Sequence, residues 1–344
     1  MNRPIFIVGC PRSGTSLLRD LLCSHPNLTF PGESRFIPEF YRAYGNPASD
    51  EEAWRLARRI LSFRQVATNW RITAEPAEFA GCRSFGAVTR RLFEIWAASQ
   101  GKPRWGDKTP YYVGEIPLLL HLFPDAQVVH IIRDGRDVAV SWLRTPFSPG
   151  NLYAAACGWS RNVRKGRRDG ALLPPGTYCE VRYENLLAVP EATMRNLCAF
   201  LDEPYLPAVL TPRRAASLVA GAASPPSPHA RSFRERTDPA FHDTIVRNNS
   251  GGWKTALSPP QRTLFESVAG GLLGELGYPL EGLAMPLSRG ETLWWETDRH
   301  CRYRGRQLLE LRQPQFRQHA LSLVRALLIA FLRRASDRAG ARLP

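Results

Sequence analysis

The segment Gly9-Cys10-Pro11-Arg12-Ser13-Gly14-Thr15-Ser16 lies directly after the apolar run Ile5 to Val8 and leads into an amphipathic stretch, Ser16 to Leu22. A strand, a tight glycine loop and a helix in that order aim several backbone N–H groups at one point. The helix start adds partial positive charge there. Ser13, Thr15 and Ser16 contribute hydroxyl donors and Arg12 a fixed cation. Residues Arg12, Ser13, Gly14, Thr15 and Ser16 therefore read as a cradle for an anionic ester. The spacing imitates a Walker A nucleotide loop, but Thr15 stands where that motif needs its lysine. With the cation moved to Arg12, inside the loop, a kinase or NTPase is disfavoured.

Such a loop needs a sheet behind it. A second unit of the same kind is the strand Gln127 to Ile132, followed by Arg133-Asp134-Gly135-Arg136-Asp137 and a helical Val138 to Leu143. A third apolar run, Tyr178 to Tyr183, leads into a helix predicted at Pro190 to Leu201. Helices are expected at 51–62, 76–99 and 261–276, with proline-rich loops at 204–212 and 224–228. Strands separated by long helical crossovers predict an α/β fold, a P-loop-like parallel sheet with helices on both faces. The expected organisation is one domain over residues 1–283 and an Arg-rich, amphipathic helical tail over 284–344.

The bulk numbers fit this reading. The 344 residues include 46 basic and 31 acidic ones, a net charge of +15, which implies an anionic partner. Nearly all the basic residues are arginine; the lysines are only Lys102, Lys108, Lys165 and Lys254. Seven scattered cysteines without CxxC or metal-ligand spacing read as reduced thiols, so the expected compartment is the cytoplasm and no metal is expected. No run approaches the ~18 apolar residues of a membrane span, and nothing resembles an export signal. In the tail, residues 315–334 align Leu321, Val324, Leu327, Leu328, Phe331 and Leu332 on one helical face. That face either lies on an anionic membrane surface, making the protein peripheral to it, or packs on the body or against a second copy.

At the first loop the sequence resembles the family of sulfotransferases that use 3'-phosphoadenosine-5'-phosphosulfate (PAPS), whose 5'-phosphosulfate loop reads Pro-Lys/Arg-Ser-Gly-Thr-Ser/Thr. The resemblance covers roughly residues 4–280. It continues through His25-Pro26, Glu33-Ser34-Arg35 and Ile37-Pro38, which are similar to the corresponding stretch of tyrosylprotein sulfotransferases. It implies Glu33 as catalytic base and Arg35 as a cation of the acceptor site. An Arg at a strand end and a Ser eight residues on is the family's 3'-phosphate signature, matched by Arg133 and Ser141. A guanidinium can grip a terminal phosphate bidentately while the hydroxyl donates from the next helix. The alternative is an Arg133 engaged with Asp134 or Asp137.

Trp105-Gly106-Asp107-Lys108-Thr109-Pro110 is similar to a Gly-Asp/Glu-Lys-Ser/Thr-Pro segment whose lysine approaches the transferring sulfonate, which implies a catalytic role for Lys108 beside Arg12. Otherwise Lys108 is an exposed loop cation. Tyr183 resembles the tyrosine near the adenine, and Ser250-Gly251-Gly252-Trp253-Lys254 resembles a late element near the 3'-phosphate. That likeness implies contacts from Lys254 and from Arg247, although Arg247-Asn248-Asn249 departs from the usual form. His130, inside an apolar strand, reads as a satisfied core histidine.

The function expected is transfer of a sulfuryl group from PAPS, without a metal, to an acceptor hydroxyl on a tyrosyl peptide, carbohydrate or lipid. A P-loop kinase lacks its lysine here. A basic nucleic-acid-binding protein has charge alone in its favour, with no reader motif or aromatic–basic interleaving, so nucleic acid is not an expected partner.

Overall fold

The computed structural model describes residues 3–210, 250–282 and 285–311. Five parallel strands form one sheet: β1 (Ile5–Gly9), β2 (Leu28–Thr29), β3 (Arg104–Lys108), β4 (Gln127–Ile132) and β5 (Tyr178–Arg182). Their order across the sheet is β2-β3-β1-β4-β5. β1 sits centrally, with Ile7 opposite both Lys108 of β3 and Val129 of β4. After β3 the chain crosses to the far side of β1. Open parallel sheets bind ligands outside the carboxyl ends of the strands at such a reversal of order.

Alternation along β1 and β4 explains why both faces are covered. Phe6, Val8 and Val128 point into one apolar cluster. That cluster is built with α2 (Ile37–Tyr44), α3 (Asp50–Ser62), α4 (Arg64–Asn69), α5 (Phe85–Ser99) and α6 (Ile116–Leu122). Ile5, Ile7, Val129 and Ile131 point the other way. They meet α1 (Thr15–Cys23), α9 (Tyr183–Ala188) and α10 (Pro190–Phe200). A third cluster beside the sheet joins α7 (Gly135–Leu143), α8 (Leu152–Gly170), α11 (Trp253–Ala256) and α12 (Pro259–Glu275). A strand buried on both faces carries continuous apolar sequence, which is why β1 and β4 are readable without a structure.

Two expectations are corrected. The stretch 76–99 is not one helix: a short 3-10 turn, Pro76–Phe79, is followed by Gly81 at φ 77° before Ser84 caps α5. Gly81 takes the left-handed turn, and the Ser84 side chain accepts the Ala87 N–H, so the chain restarts rather than continues. The segment holding Lys108 is not a loop but β3, all five of whose residues are buried. Its polar sequence conceals the strand. Trp105 stacks on Phe93 at 4.3 Å, while the Arg104 guanidinium donates to the Arg3 carbonyl at 2.7 Å and to Glu203 at 3.0 Å.

The first part of the tail packs on the body. Asn151 caps α8 through its Oδ1 and donates through Nδ2 to the Trp295 carbonyl at 3.0 Å and to Asp298 at 2.8 Å. Both partners belong to α13 (Arg289–Leu311). The amphipathic segment 315–334, the loop at 224–228 and Arg247 lie outside the described residues. Among the described residues no helix is long and apolar enough to cross a membrane.

Candidate active site

Four of the five strands deliver a candidate residue at or just past their carboxyl ends. β1 opens into the glycine loop, β3 ends on Lys108, β4 leads into Arg133 and β5 into Tyr183. The loop is drawn tight by two close approaches. A Cβ on Gly9 would lie 2.5 Å from the Ile131 carbonyl oxygen, and one on Gly14, at φ 95°, would lie 2.3 Å from the Tyr183 ring. Only glycine fits either position. Arg12 is itself left-handed at φ 74°, a conformation a non-glycine residue holds at a cost of roughly 1 kcal/mol or more. Ser13 is fully buried and its hydroxyl has no hydrogen-bond partner among the described residues, while Thr15 is buried and Ser16 exposed. Gly14 stands at the N-cap of α1 and has no side chain to cap the helix start.

The loop and the β4 end form one cluster. Arg12 Nε donates to Ser141 Oγ at 3.0 Å. The Arg133 guanidinium donates to the Arg12 carbonyl at 3.4 Å and lies 4.4 Å over the Tyr183 ring. Its other arm is 3.7 Å from Asp137, so the pairing that competed with the phosphate reading is present as a long contact. Asp137 does more than that. Its carboxylate accepts the Gly251 N–H at 2.8 Å and the Trp253 N–H at 2.9 Å, pinning the late glycine–tryptophan element beside Arg133. Lys254 itself is exposed, its ammonium 5.9 Å from the Trp253 ring.

A second cluster is centred on Glu33. Lys108 Nζ donates to Glu33 Oε1 at 2.8 Å, and Arg35 Nε donates to Oε2 at 2.7 Å. Lys108 is 4% exposed, which excludes an exposed loop cation. Burial pulls the Lys108 ammonium below the ordinary lysine value, with Glu33 opposing. Burial alone would raise the Glu33 carboxyl, but Lys108 and Arg35 outweigh it and hold the group below the usual glutamate value. The two clusters share Arg12. Burial and the like charge of Arg133 lower its pKa while Glu33 raises it, and as an arginine it stays cationic.

Behind Glu33 lies a buried network that sequence reasoning did not find. Ser34 Oγ hydrogen-bonds Asp107 Oδ2 and lies 2.9 Å from the Tyr112 hydroxyl. Thr109 Oγ1 donates to Asp107 Oδ1 at 2.8 Å. Asp107 stands inside a recognised motif, but Ser34 is 73 positions away and only the fold joins them. His130 is half satisfied: Nδ1 meets the Tyr178 hydroxyl at 2.7 Å, while the buried Nε2 has no hydrogen-bond partner among the described residues. Burial first, then Arg167 and Arg182, push its pKa down to about 3, so it is a neutral core residue.

Chemically the arrangement offers a cationic anion cradle on one side and a carboxylate paired with a buried ammonium on the other. A protein from Aquifex aeolicus is 29% identical over 220 residues, covering 61% of this chain and 26% of its own length. Protein-tyrosine sulfotransferase A of Caenorhabditis elegans is 27% identical over 207 residues, covering 58% of this chain and 50% of its own. The chain thus spans half or less of the length of these relatives. The solved sulfotransferase domain of the Synechococcus PCC 7002 olefin synthase superposes with a TM-score of 0.54 at 23% identity, over 81% of this chain and 97% of that one, which establishes the common fold. A model of the sulfotransferase family matches residues 4–207, well over half of the sequence, and the chain belongs to that family.

Proposed function

We propose that this chain transfers a sulfuryl group from PAPS to an acceptor hydroxyl, with Glu33 as general base. The observation that supports this most is the convergence at one sheet edge of Arg12, Ser141 and Arg133 on one side and the Glu33–Lys108 pair on the other. Two anionic groups of one donor fit two cationic stations. The phosphosulfate belongs on Arg12, Ser13, Gly14, Thr15 and Ser16, where the buried Ser13 hydroxyl lacks a partner among the described residues. The 3'-phosphate belongs on Arg133 and Ser141, with Tyr183 toward the adenine and Arg247 and Lys254 as further cations. A nucleoside triphosphatase would need a lysine where Thr15 stands.

In this reading the acceptor oxygen attacks sulfur as the bond from sulfur to the 5'-phosphate oxygen breaks, and the acceptor proton passes to Glu33. Arg12 and Lys108 offset the charge on the sulfonate and on the departing phosphate oxygen. Adenosine 3',5'-bisphosphate leaves. Arg35, half-exposed at the mouth, orients the acceptor. The fixed cations take the part a metal plays in kinases, so transfer proceeds in EDTA. The acceptor is a tyrosyl-peptide, carbohydrate or lipid hydroxyl, and the likeness to the nematode enzyme favours the first.

The protein works in the cytoplasm, and the amphipathic sequence 315–334 serves either as a contact to an anionic membrane surface or as a packing face for the body or a second copy. The deciding experiment incubates the chain with radiolabelled PAPS and, separately, a tyrosine-containing peptide, an oligosaccharide and a lipid alcohol. Label in one acceptor class is the expected result. Tight retention on an ATP matrix, with none on adenosine 3',5'-bisphosphate, would overturn it.

A further inference from the structure

The end of β3 and the loop before α2 are joined by two neighbouring contacts. Glu33, partly exposed, meets Lys108, which is nearly buried. Directly behind them their sequence neighbours Ser34 and Asp107, both fully buried, hydrogen-bond to each other. The loop does not hold this shape alone, because Arg35 sits left-handed at φ 55°. Such a conformation persists only where the surroundings over-determine it. The surroundings grip the loop on both sides of the strained residue: Ser34 N–H donates to Thr109 Oγ1 at 3.2 Å and Ile37 N–H to the Tyr112 hydroxyl at 3.0 Å.

The polarity of this network is fixed by its end. An ionised carboxylate only accepts, so Ser34 and Thr109 both donate to Asp107, and the Tyr112 hydroxyl must then donate to Ser34. Every donor has a separate acceptor. The groups facing Asp107 are these three hydroxyls, Glu33 from the loop, and Lys108 beside it on the strand. We propose that Asp107 and Ser34 are positioning residues, whose buried contact sets the loop against β3 and so holds the Glu33 carboxylate at Lys108 for proton abstraction. This rests on the reading of Glu33 as the base.

The test compares Ser34→Ala, Asp107→Asn, Glu33→Gln and the double variant Ser34→Ala/Glu33→Gln. Each is assayed with radiolabelled PAPS and the acceptor class labelled by the native chain. Binding of adenosine 3',5'-bisphosphate is measured by calorimetry as the check on folding. Ser34→Ala should lower kcat roughly 10- to 100-fold, the scale of a small misplacement of a catalytic group, and leave bisphosphate affinity within about twofold. In the Glu33→Gln background it should lower kcat no further, since no base remains to be positioned. Losses that multiply, or native kcat in Ser34→Ala, overturn the proposal. Should Asp107→Asn fail to bind bisphosphate, Ser34→Ala, which deletes one hydroxyl and no charge, decides alone.

A second measurement needs no acceptor. In a carbon NMR titration, the Glu33 carboxyl should titrate below the usual glutamate range in the native chain and move up in Ser34→Ala as the Lys108 pair loosens. An unmoved Glu33 titration argues against the proposal. Full kcat in Glu33→Gln would instead remove the base assignment itself, a separate failure.

Discussion

Lys108 Nζ lies 2.8 Å from Glu33 Oε1, and the lysine side chain is almost fully buried while that of the glutamate is 23% exposed. A buried ammonium paired with a part-exposed carboxylate is poised to share its charge with an arriving anion. Removing one member of such a pair leaves the other uncompensated.

Glu33→Gln therefore has two expected effects. It should cut kcat by roughly 10²- to 10⁴-fold, the usual worth of a general base. Bisphosphate affinity should hold or tighten, because Lys108 loses its competing carboxylate. Steady-state kinetics and calorimetry measure both, and a weaker donor complex would show that Glu33 helps to build the donor site.

Arg133→Ala should separate the two anion stations. Only PAPS carries a 3'-phosphate, so its affinity should fall by roughly 10- to 100-fold, as for a lost charge-assisted contact, while adenosine 5'-phosphosulfate falls little. Arg12→Ala should weaken both donors, since Arg12 belongs to the loop and also holds Ser141 at 3.0 Å. Equal losses for the two donors in Arg133→Ala would remove that residue from the 3'-station.

The acid side of the pH profile should have two steps. Burial raises the Asp107 carboxyl from 3.8 to about 6, with hydrogen bonds from Ser34 and Thr109 opposing. As the pH falls through about 6, Asp107 gains a proton, the network loses its accepting end and kcat should drop in part. Complete loss should come only below the ordinary glutamate range, where Glu33 is protonated. Stability moves the opposite way across the first step. The folded state binds the Asp107 proton more readily than the unfolded state between about 4 and 6, so stability declines as pH rises through that window. Asp107→Asn should abolish both the first activity step and this slope in melting temperature.

Asn151 links two elements, capping α8 and donating to α13. Asn151→Ala should cost about 1–2 kcal/mol in thermal or urea unfolding, the worth of a lost cap with added contacts. Ending the chain after Leu311 keeps that docked helix. The shortened protein should lose sedimentation with anionic vesicles and keep transfer to a soluble acceptor. Aggregation would show instead that the removed face packs on the body or on a second copy.

Local signals in the sequence determined the parallel α/β class, β1 and β4, the glycine loop and the helix that follows each of these two strands. Strands buried on both faces read as unbroken apolar runs, and a glycine loop is written in consecutive residues. Arg133 and Ser141 were legible as a pair because strand end and next helix lie within nine consecutive residues. β3 was not legible. Its Arg104, Asp107 and Lys108 look like loop residues until distant partners (Glu203, Ser34 and Glu33) satisfy them inside the protein.

The tertiary structure alone decided the Arg12–Ser141 contact across 129 positions, the Asp137 tether to Gly251 and Trp253, and the buried Ser34–Asp107 contact. These contacts follow from strand order, which seats β1 between β3 and β4 and brings four strand ends to one edge. Hydrophobic period and turn chemistry act over neighbouring residues and carry no record of that order. Burial then makes each long-range polar partner obligatory, because an unpaired charge at those positions would cost several kcal/mol.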